Sequence, residues 1–358
     1  MKRKTFLKNS LIATGALMAG GALSAFESFR PSAKESTSAV KGFKPATSKR
    51  DRMLAWLEGK PEAGYTPAAF FLHFDKDHRV GIPAAKKHLE YFKFTNMDFV
   101  KIQYEQDYPL VDFINKPSDW SKLKPNKPEF YEPQFQTIRE IVKQEKKNAL
   151  IIMTIYSPFM CAGQVATYEK LYKHLEEDPE QVKKGFDALI ESQLVFVRKC
   201  MEIGVDGFYM STEGSESGQF SDPKIFRNYI RPADLIPMSE VTAKCPFNIL
   251  HVCDYVAPYN NYDEVLDYPG QVVNCNSQLK DSSVTWQQVS TMFKRPTMGG
   301  MDRHGLIHTG TQEQIAQEVK RTIEGAPKQF ILGADCTVDG KTDWNNLRHA
   351  IATAHGGN

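Results

Sequence analysis

Two residues that can bind a metal stand one position apart in an apolar stretch of the chain. His251 and Cys253 occur in the sequence NILHVCD, at positions 248–254. Side chains two positions apart on a β-strand point to the same side, so this imidazole and this thiol would face a common site. Imidazole nitrogen and thiolate sulfur are good zinc ligands. The spacing therefore indicates a metal site at the end of a predicted strand.

Two further cysteines extend this pattern. Cys336 follows the last predicted strand, and Cys275 ends the strand that comes after His251 and Cys253. Three protein ligands with one open position are typical of a catalytic zinc site, so His251, Cys253 and Cys336 predict such a site, with Cys275 as a candidate for the remaining position. A second interpretation stays open, because six cysteines in an exported protein could form disulfides, Cys253 with Cys336 among them.

Other polar residues near predicted strands are candidates for catalysis. Glu213 could orient a substrate or act as a general base, Tyr209 would shape the pocket with it, and His73 would lie at the pocket rim. An alternative interpretation makes Glu213 a solvated loop residue and His73 a partner for a backbone group.

These side chains must be positioned by alternating strands and helices. Apolar runs bounded by charged residues, glycine or proline predict eight strands, at 68–74, 99–104, 149–156, 207–211, 248–253, 272–275, 297–301 and 330–333. The clearest helix spans 178–204, where Asp178 can cap, Pro179 takes the first helical position and Gly204 ends the helix. Eight strands, each followed by a helix, predict a (β/α)8 TIM barrel, with its chemistry at the C-terminal strand ends. The G-x-G-x-x-G of a dinucleotide-binding sheet follows none of these strands.

The first 52 residues differ in composition from the rest. Residues 1–25 join a basic start to an apolar, Ala- and Gly-rich run that ends in small residues, which is typical of a secretory signal peptide. Arg3 and Lys4 stand where a twin-arginine signal has its two arginines, so that export route is one option. Residues 26–52 predict a linker, and 53–358 a single barrel domain. We expect an exported protein, periplasmic or extracellular, without a permanent membrane span once the signal is removed.

Composition and charge exclude several classes of protein. The 358 residues are 41% hydrophobic and 25% charged, which excludes a polytopic membrane protein, a collagen-like repeat and a disordered chain. The formal net charge is +2, but residues 1–25 hold four basic and no acidic residues. The remaining chain is therefore slightly acidic, and nothing in it predicts a nucleic-acid surface. We expect a small-molecule substrate.

The chain resembles the uroporphyrinogen decarboxylase superfamily of barrels over most of residues 53–355. The resemblance rests on motifs spread along the chain: RMLAWLEGKP (52–61), GVDGF (204–208), FSD (220–222), HVC (251–253), MGGMD (298–302) and ILGADC (331–336). The arginine-rich RQAGR motif of the true decarboxylases has no counterpart, since FFLHF (70–74) stands there. Asp254 is a departure too, because many relatives have glycine directly after the cysteine.

The resemblance is closest to the zinc-dependent methyltransferases that act with corrinoid proteins. It implies His251, Cys253 and Cys336 as zinc ligands, and Cys275 stands roughly where related methionine synthases supply a carboxylate. It also implies methyl or alkyl transfer to a zinc-bound thiolate, with one catalytic Zn²⁺ and with a corrinoid protein or another molecule as methyl donor. Two alternatives remain: a decarboxylase-type enzyme acting on a tetrapyrrole or other carboxylate, and a non-catalytic exported barrel that binds a metal or ligand.

Overall fold

Seven parallel strands form one sheet in residues 48–357, the part of the chain that the computed structural model describes. They are β1 (Phe99–Ile102), β2 (Leu150–Tyr156), β3 (Gly207–Thr212), β4 (Ile249–Val252), β5 (Val272–Asn274), β6 (Thr297–Met301) and β7 (Phe330–Ala334). Each strand pairs with the next in chain order. The C-terminal ends of all seven therefore lie on one face, as in a TIM barrel. Seven of the eight predicted strands are confirmed, most with bounds that differ by one or two residues.

The predicted strand at 68–74 is wrong as a regular strand, although the segment does occupy the place between β7 and β1. It forms two isolated parallel bridges, from Ala68 to Leu332 and from Leu72 to Val338. Two side chains form hydrogen bonds with backbone groups that would pair with a neighbouring strand in a regular sheet. Asp98 Oδ2 accepts from the Ala68 N–H at 2.7 Å, and the Tyr91 hydroxyl donates to the Phe70 carbonyl at 2.9 Å. The predicted barrel architecture is therefore confirmed, with an irregular segment at the first strand position.

Eleven α-helices follow or flank these strands within residues 48–357. They are α1 (Lys49–Leu57), α2 (Gly81–Thr95), α3 (Glu132–Glu145), α4 (Pro158–Ala166), α5 (Tyr168–Glu177), α6 (Pro179–Ile203), α7 (Arg231–Lys244), α8 (Trp286–Phe293), α9 (Leu306–Thr309), α10 (Gln312–Glu324) and α11 (Trp344–Ala354). The predicted helix at 178–204 is α6: the Asp178 side chain caps it, and Gly204 ends it in the left-handed conformation at φ 112°.

The N-terminal boundary differs slightly from the prediction. Helix α1 begins at Lys49, four residues before the expected start at 53, because Ser48 caps it by accepting from the Asp51 N–H. Arg50 then joins α1 to the barrel through two hydrogen bonds to the Asp206 carboxylate, at 2.7 and 2.9 Å. The predicted signal peptide at 1–25 and the linker up to residue 47 lie outside the described residues. Among the helices at 48–357, none is both long and apolar enough to span a membrane.

The two ends of the barrel have different chemistry. At the N-terminal end, the rings of Phe99 and Phe247 pack edge to face with centroids 4.9 Å apart, and both side chains are fully buried. Strands β1 to β5 consist mainly of buried residues, as expected of parallel strands covered by helices. The predicted metal ligands His251, Cys253 and Cys336 lie at the opposite, C-terminal end, where β4 and β7 stop.

Candidate metal centre

Three of the four predicted metal ligands meet at the C-terminal face of the barrel. His251 lies on β4, Cys253 directly follows it, and Cys336 lies two residues beyond β7. One ligand atom from each residue lies within 4.8 Å of the other two. His251 Nε2 is 3.3 Å from Cys336 Sγ. Strands β4 and β7 are not neighbours in the sheet, so the fold brings distant parts of the chain to one point.

The two thiols of this cluster have pKa values shifted in opposite directions. A hydrogen bond from Cys253 holds the pKa of Cys336 well below its usual range, and His251 and Arg303 act in the same direction. The same hydrogen bond, together with burial, raises the pKa of Cys253. These opposite shifts favour the thiolate form at Cys336 over the thiolate form at Cys253. A thiolate is the form of cysteine that binds zinc.

The donor set of the cluster fits a zinc ion. The three side chains are almost completely buried, and an imidazole nitrogen with two sulfurs is a common set of zinc ligands. His251 Nδ1 is buried and has no hydrogen-bond partner among the described residues. An unpartnered buried polar atom is costly. Nε2, which lies 3.3 Å from Cys336 Sγ, is the ring nitrogen directed at a sulfur of the cluster, so it is in position to bind a metal together with that sulfur.

The fourth predicted ligand does not join this cluster. Cys275 follows β5 and is fully buried, and its thiol interacts with the Tyr262 side chain. Asn274, the residue before it, points into the barrel and donates to the carbonyls of Met298 and Ala334 at 3.0 Å. Since side chains alternate along a strand, Cys275 points to the other side. All six cysteines are free thiols in the structure, including Cys253 and Cys336.

The cluster opens into a pocket of about 570 Å³ at the C-terminal face. Glu213, which follows β3, lines this pocket and is 2% exposed. Its Oε2 accepts from the Tyr168 hydroxyl at 2.7 Å. Burial raises the pKa of Glu213, and the hydrogen bonds from Tyr168 and Cys253 oppose that shift. The structure thus places Glu213 beside the metal cluster as a buried carboxyl group, and not as a solvated loop residue.

Tyr209 and His73 lie at different depths of the same pocket. The Tyr209 ring is buried and stacks on His251, with centroids 4.9 Å apart, while its hydroxyl donates to Asn274 Oδ1 at 2.5 Å. This contact holds the His251 ring in place. His73 lines the pocket with a side chain that is 45% exposed, and its Nδ1 lies 2.8 Å from Glu105 Oε1. Tyr209 thus forms part of the pocket wall, and His73 lies nearer the solvent.

Two basic residues that line the pocket, Lys101 and Arg303, were not predicted from the sequence. Lys101 on β1 is buried, and its Nζ lies 4.8 and 4.6 Å from the ring centroids of Phe71 and Tyr209. Burial lowers the pKa of Lys101 to about 7. A lysine inside the apolar run FVKI was a usable signal, since lysine is almost never fully buried without a purpose or a partner. The second cation, Arg303, carried no comparable signal because it lies in a polar loop.

Comparison with known proteins gives one family match and a curated relative. The family model described as Uroporphyrinogen decarboxylase (URO-D) matches residues 99–357. A curated relative, the methylated-thiol–coenzyme M methyltransferase of Methanosarcina mazei, is 25% identical over 214 residues, which are 59% of this chain. The chain covers 54% of the length of that relative.

Solved structures share the fold. A methyltransferase from Methanosarcina mazei superposes with a TM-score of 0.68 at 14% identity, over 86% of this chain and 98% of that one. A B12-independent methionine synthase from Shewanella sp. W3-18-1, in complex with selenomethionine, gives a TM-score of 0.51 at 12% identity, over 82% and 96% of the two chains. At these identities the structural likeness concerns the fold alone.

Proposed function

We propose that this chain, which belongs to the uroporphyrinogen decarboxylase family, transfers a methyl or alkyl group to a thiol substrate, with zinc held by His251, Cys253 and Cys336. The observation that carries this proposal is the position of the cluster. Its three ligand atoms lie within 4.8 Å of one another and line a pocket large enough for a small molecule. A protein ligand set of three leaves a coordination position for substrate.

The residues around the cluster have separable tasks in this reaction. Zinc bound there would favour the thiolate form of a substrate thiol near neutral pH, as cations do. The Glu213 carboxylate, whose Oε2 is held by Tyr168, would accept the proton that the thiol loses. The substrate sulfur would then form a bond to the methyl carbon, and the donor would leave with the electron pair of the bond that breaks.

Lys101 indicates a feature of the substrate. It has no carboxylate partner among the ion pairs of the described residues, whereas Arg303 is paired with both Asp254 and Asp335. Its only hydrogen-bond partner there is the side chain of Gln103. A buried ammonium group without a counter-ion can pair with an anionic group of a ligand. We therefore expect a thiol substrate that also carries an anionic group.

The same charges disfavour the alternative of a tetrapyrrole decarboxylase. A substrate with many carboxylates needs several free cations in its pocket. Arg303 lines this pocket but is already occupied by two aspartates. A non-catalytic metal-binding barrel would need neither Glu213 nor Lys101 at the pocket wall. Both alternatives are outcomes of the experiments below.

The methyl donor and the compartment are also part of the proposal. The proposed donor is a corrinoid protein, as the sequence resemblance implies, and the name of the methyltransferase relative from Methanosarcina mazei supports methyl transfer to a thiol. Tyr255, which lines the pocket and is 80% exposed, would contact such a donor. Export rests on residues 1–25. N-terminal sequencing of the protein from the periplasmic fraction, starting near residue 26, would support export; an intact N-terminus in the cytoplasmic fraction would refute it.

Zinc content tests the metal site directly. We expect about one zinc per chain after purification without chelators, and less than a tenth in Cys336→Ser and Cys253→Ser. Cys275→Ser is the matched control, because that thiol is equally buried but outside the cluster. We expect it to keep its zinc. Wild-type protein with less than a tenth of an equivalent, which also fails to take up added zinc, would refute the proposal.

Methyl transfer is tested with the zinc-loaded full-length chain. Methylcobalamin is the donor and 2-mercaptoethanesulfonate and 2-mercaptoethanol are the acceptors, and the thioether product is measured by mass spectrometry. We expect product with the wild type and at least a hundredfold less with Glu213→Gln, since general base catalysis contributes about 10²–10⁴-fold. Zinc binding without thioether from any donor would favour the non-catalytic barrel. Carbon dioxide release from a porphyrinogen would favour the decarboxylase.

A further inference from the structure

The two cysteines of the metal cluster sit on loops that no backbone ladder joins. Cys253 follows β4 and Cys336 follows β7, and two strands lie between these in the sheet. The backbone N–H of Cys253 bonds to the Thr212 carbonyl of β3, and that of Asp335 bonds to Met301 of β6. Besides the sheet itself, contacts between side chains across the barrel face therefore contribute to the distance between the two thiols.

One guanidinium group connects these two loops. Arg303, two residues beyond β6, donates through Nη1 to Asp254 Oδ1 at 2.7 Å and to Asp335 Oδ2. Its backbone N–H donates to Asp335 Oδ1 at 2.6 Å. Asp254 is the residue directly after Cys253, and Asp335 is the residue directly before Cys336. The three side chains are 13%, 9% and 7% exposed, so water screens the bridge poorly.

An amide completes the connection. Asn276, which follows β5, donates through Nδ2 to Asp254 Oδ2 at 2.7 Å and to Asp335 Oδ2 at 3.3 Å. Without the Arg303 guanidinium, two buried carboxylates would keep neutral donors alone, namely Asn276 Nδ2 and the backbone N–H of residue 303. They would repel each other and separate the loops that carry them.

We propose that Arg303 is a positioning residue of the metal centre, which holds Cys253 and Cys336 at a metal-binding distance by bridging Asp254 and Asp335. The inference rests on the proposed function, because it assumes that the cluster binds zinc. Arg303 does not ligate the metal itself. When Arg303 holds the two loops, less of the free energy of metal binding is needed to bring the two sulfurs together. The loss of Arg303 should therefore weaken metal binding although all three ligands remain.

The test is the zinc dissociation constant, measured by competition with a chromophoric chelator on the full-length protein. We expect Arg303→Met to raise this constant about 10–100-fold, as is usual for residues that support metal ligands. Arg303→Lys should recover part of the loss, because a single ammonium can still contact both carboxylates. Absorption of the cobalt-substituted variants should show a weaker thiolate-to-cobalt band in Arg303→Met than in Arg303→Lys.

Arg295 provides the matched control at the other end of β6. Its guanidinium is also bound inside the protein, to the carbonyls of Tyr268, Gly270 and Leu266 at 2.7–3.1 Å. Arg295→Met should lower the melting temperature but leave the zinc dissociation constant unchanged. A folded Arg303→Met protein with wild-type zinc affinity would overturn the inference while leaving the proposed function intact.

Two further outcomes are decisive. If Arg303→Met does not fold, Asp254→Asn replaces it, and wild-type zinc affinity in that variant, whose side chain no longer pairs with Arg303 as an ion, overturns the inference. If the wild-type chain binds no zinc, the proposed function fails and this inference fails with it. The two failures are distinguishable because the first is measured against a zinc-binding wild type.

Discussion

Replacing Lys101 by methionine tests whether the pocket selects an anionic thiol. Methionine has a similar length and no charge, so the change removes the ammonium group and keeps the contacts with Phe71 and Tyr209. We expect the zinc-loaded wild type to bind 2-mercaptoethanesulfonate more tightly than 2-mercaptoethanol. The two probes are alike in size at the thiol end and differ in charge at the other. In Lys101→Met this preference should disappear.

The magnitude follows from the surroundings of Lys101. The side chain is 6% exposed, and among the described residues only Gln103 bonds to its Nζ. A hydrogen bond to a charged group is worth about 1.5–3 kcal/mol, and here it would form in a weakly screened pocket. Since about 1.4 kcal/mol corresponds to a factor of ten, the sulfonate should bind about 10–150-fold more weakly to the variant.

Isothermal titration calorimetry of both proteins with both probes, near pH 6.5, measures the effect. This pH lies below the pKa of about 7 that burial gives Lys101, so the ammonium form predominates before ligand binds. Lys280→Met is the control, because Lys280 is an exposed lysine that donates to Ser217. The reasoning is refuted if the wild type prefers the sulfonate by less than twofold, or if Lys101→Met keeps the preference.

Two predictions concern stability. Burial raises the pKa of Asp234 to about 7 from an ordinary 3.8, so the folded state holds this proton more tightly and the free energy of unfolding falls as pH rises from about 4 to 7. Asp234→Asn should therefore be more stable than the wild type at pH 8, by about 1–4 kcal/mol, and should lose that advantage near pH 4. Urea unfolding of both proteins at the two pH values measures the difference. A difference in stability that does not change with pH would contradict the prediction. Arg50→Met, which breaks the pair with the buried Asp206, should cost about 1–3 kcal/mol, whereas Arg139→Met, which breaks an exposed pair, should cost less than about 1; equal midpoint shifts in thermal unfolding would contradict the ranking.

The strands were predictable because parallel barrel strands are short apolar runs with clear boundaries. The segment at 68–74 has the same composition, and its irregularity depends on Asp98 and Tyr91, which lie 17 or more residues away from it. No local pattern reports such contacts. The boundary at Lys49 was missed for a related reason: the first turn of α1 is polar, and its stability comes from the pairing of Arg50 with Asp206.

The members of the His251, Cys253 and Cys336 cluster were predictable from their places at strand ends, as was Glu213, whereas Lys101 and Arg303 beside them were not. His251 and Cys253 share one side of a strand, which is a property of the local sequence. Cys275 was predicted from chain position, but the alternation of side chains along β5 directs Asn274 inward in its place. Arg303 and Tyr168 act through contacts with residues on other elements, and neither has a distinctive neighbour in sequence.

Kinetics can separate two roles for Lys101 that binding alone would combine. As the substrate sulfur takes up a methyl group it loses its negative charge, so a cation that stabilises the sulfur binds the ground state better than the transition state. If Lys101 serves the sulfur, Lys101→Met should raise kcat for 2-mercaptoethanol. If it pairs with a distant anionic group, whose charge does not change, the variant should raise KM for 2-mercaptoethanesulfonate about 10–150-fold and leave kcat within about twofold. We expect the second result, because Lys101 projects from β1, which two strands separate from β4 in the sheet, and its Nζ packs over the rings of Phe71 and Tyr209; an increase in kcat with the neutral thiol would refute it.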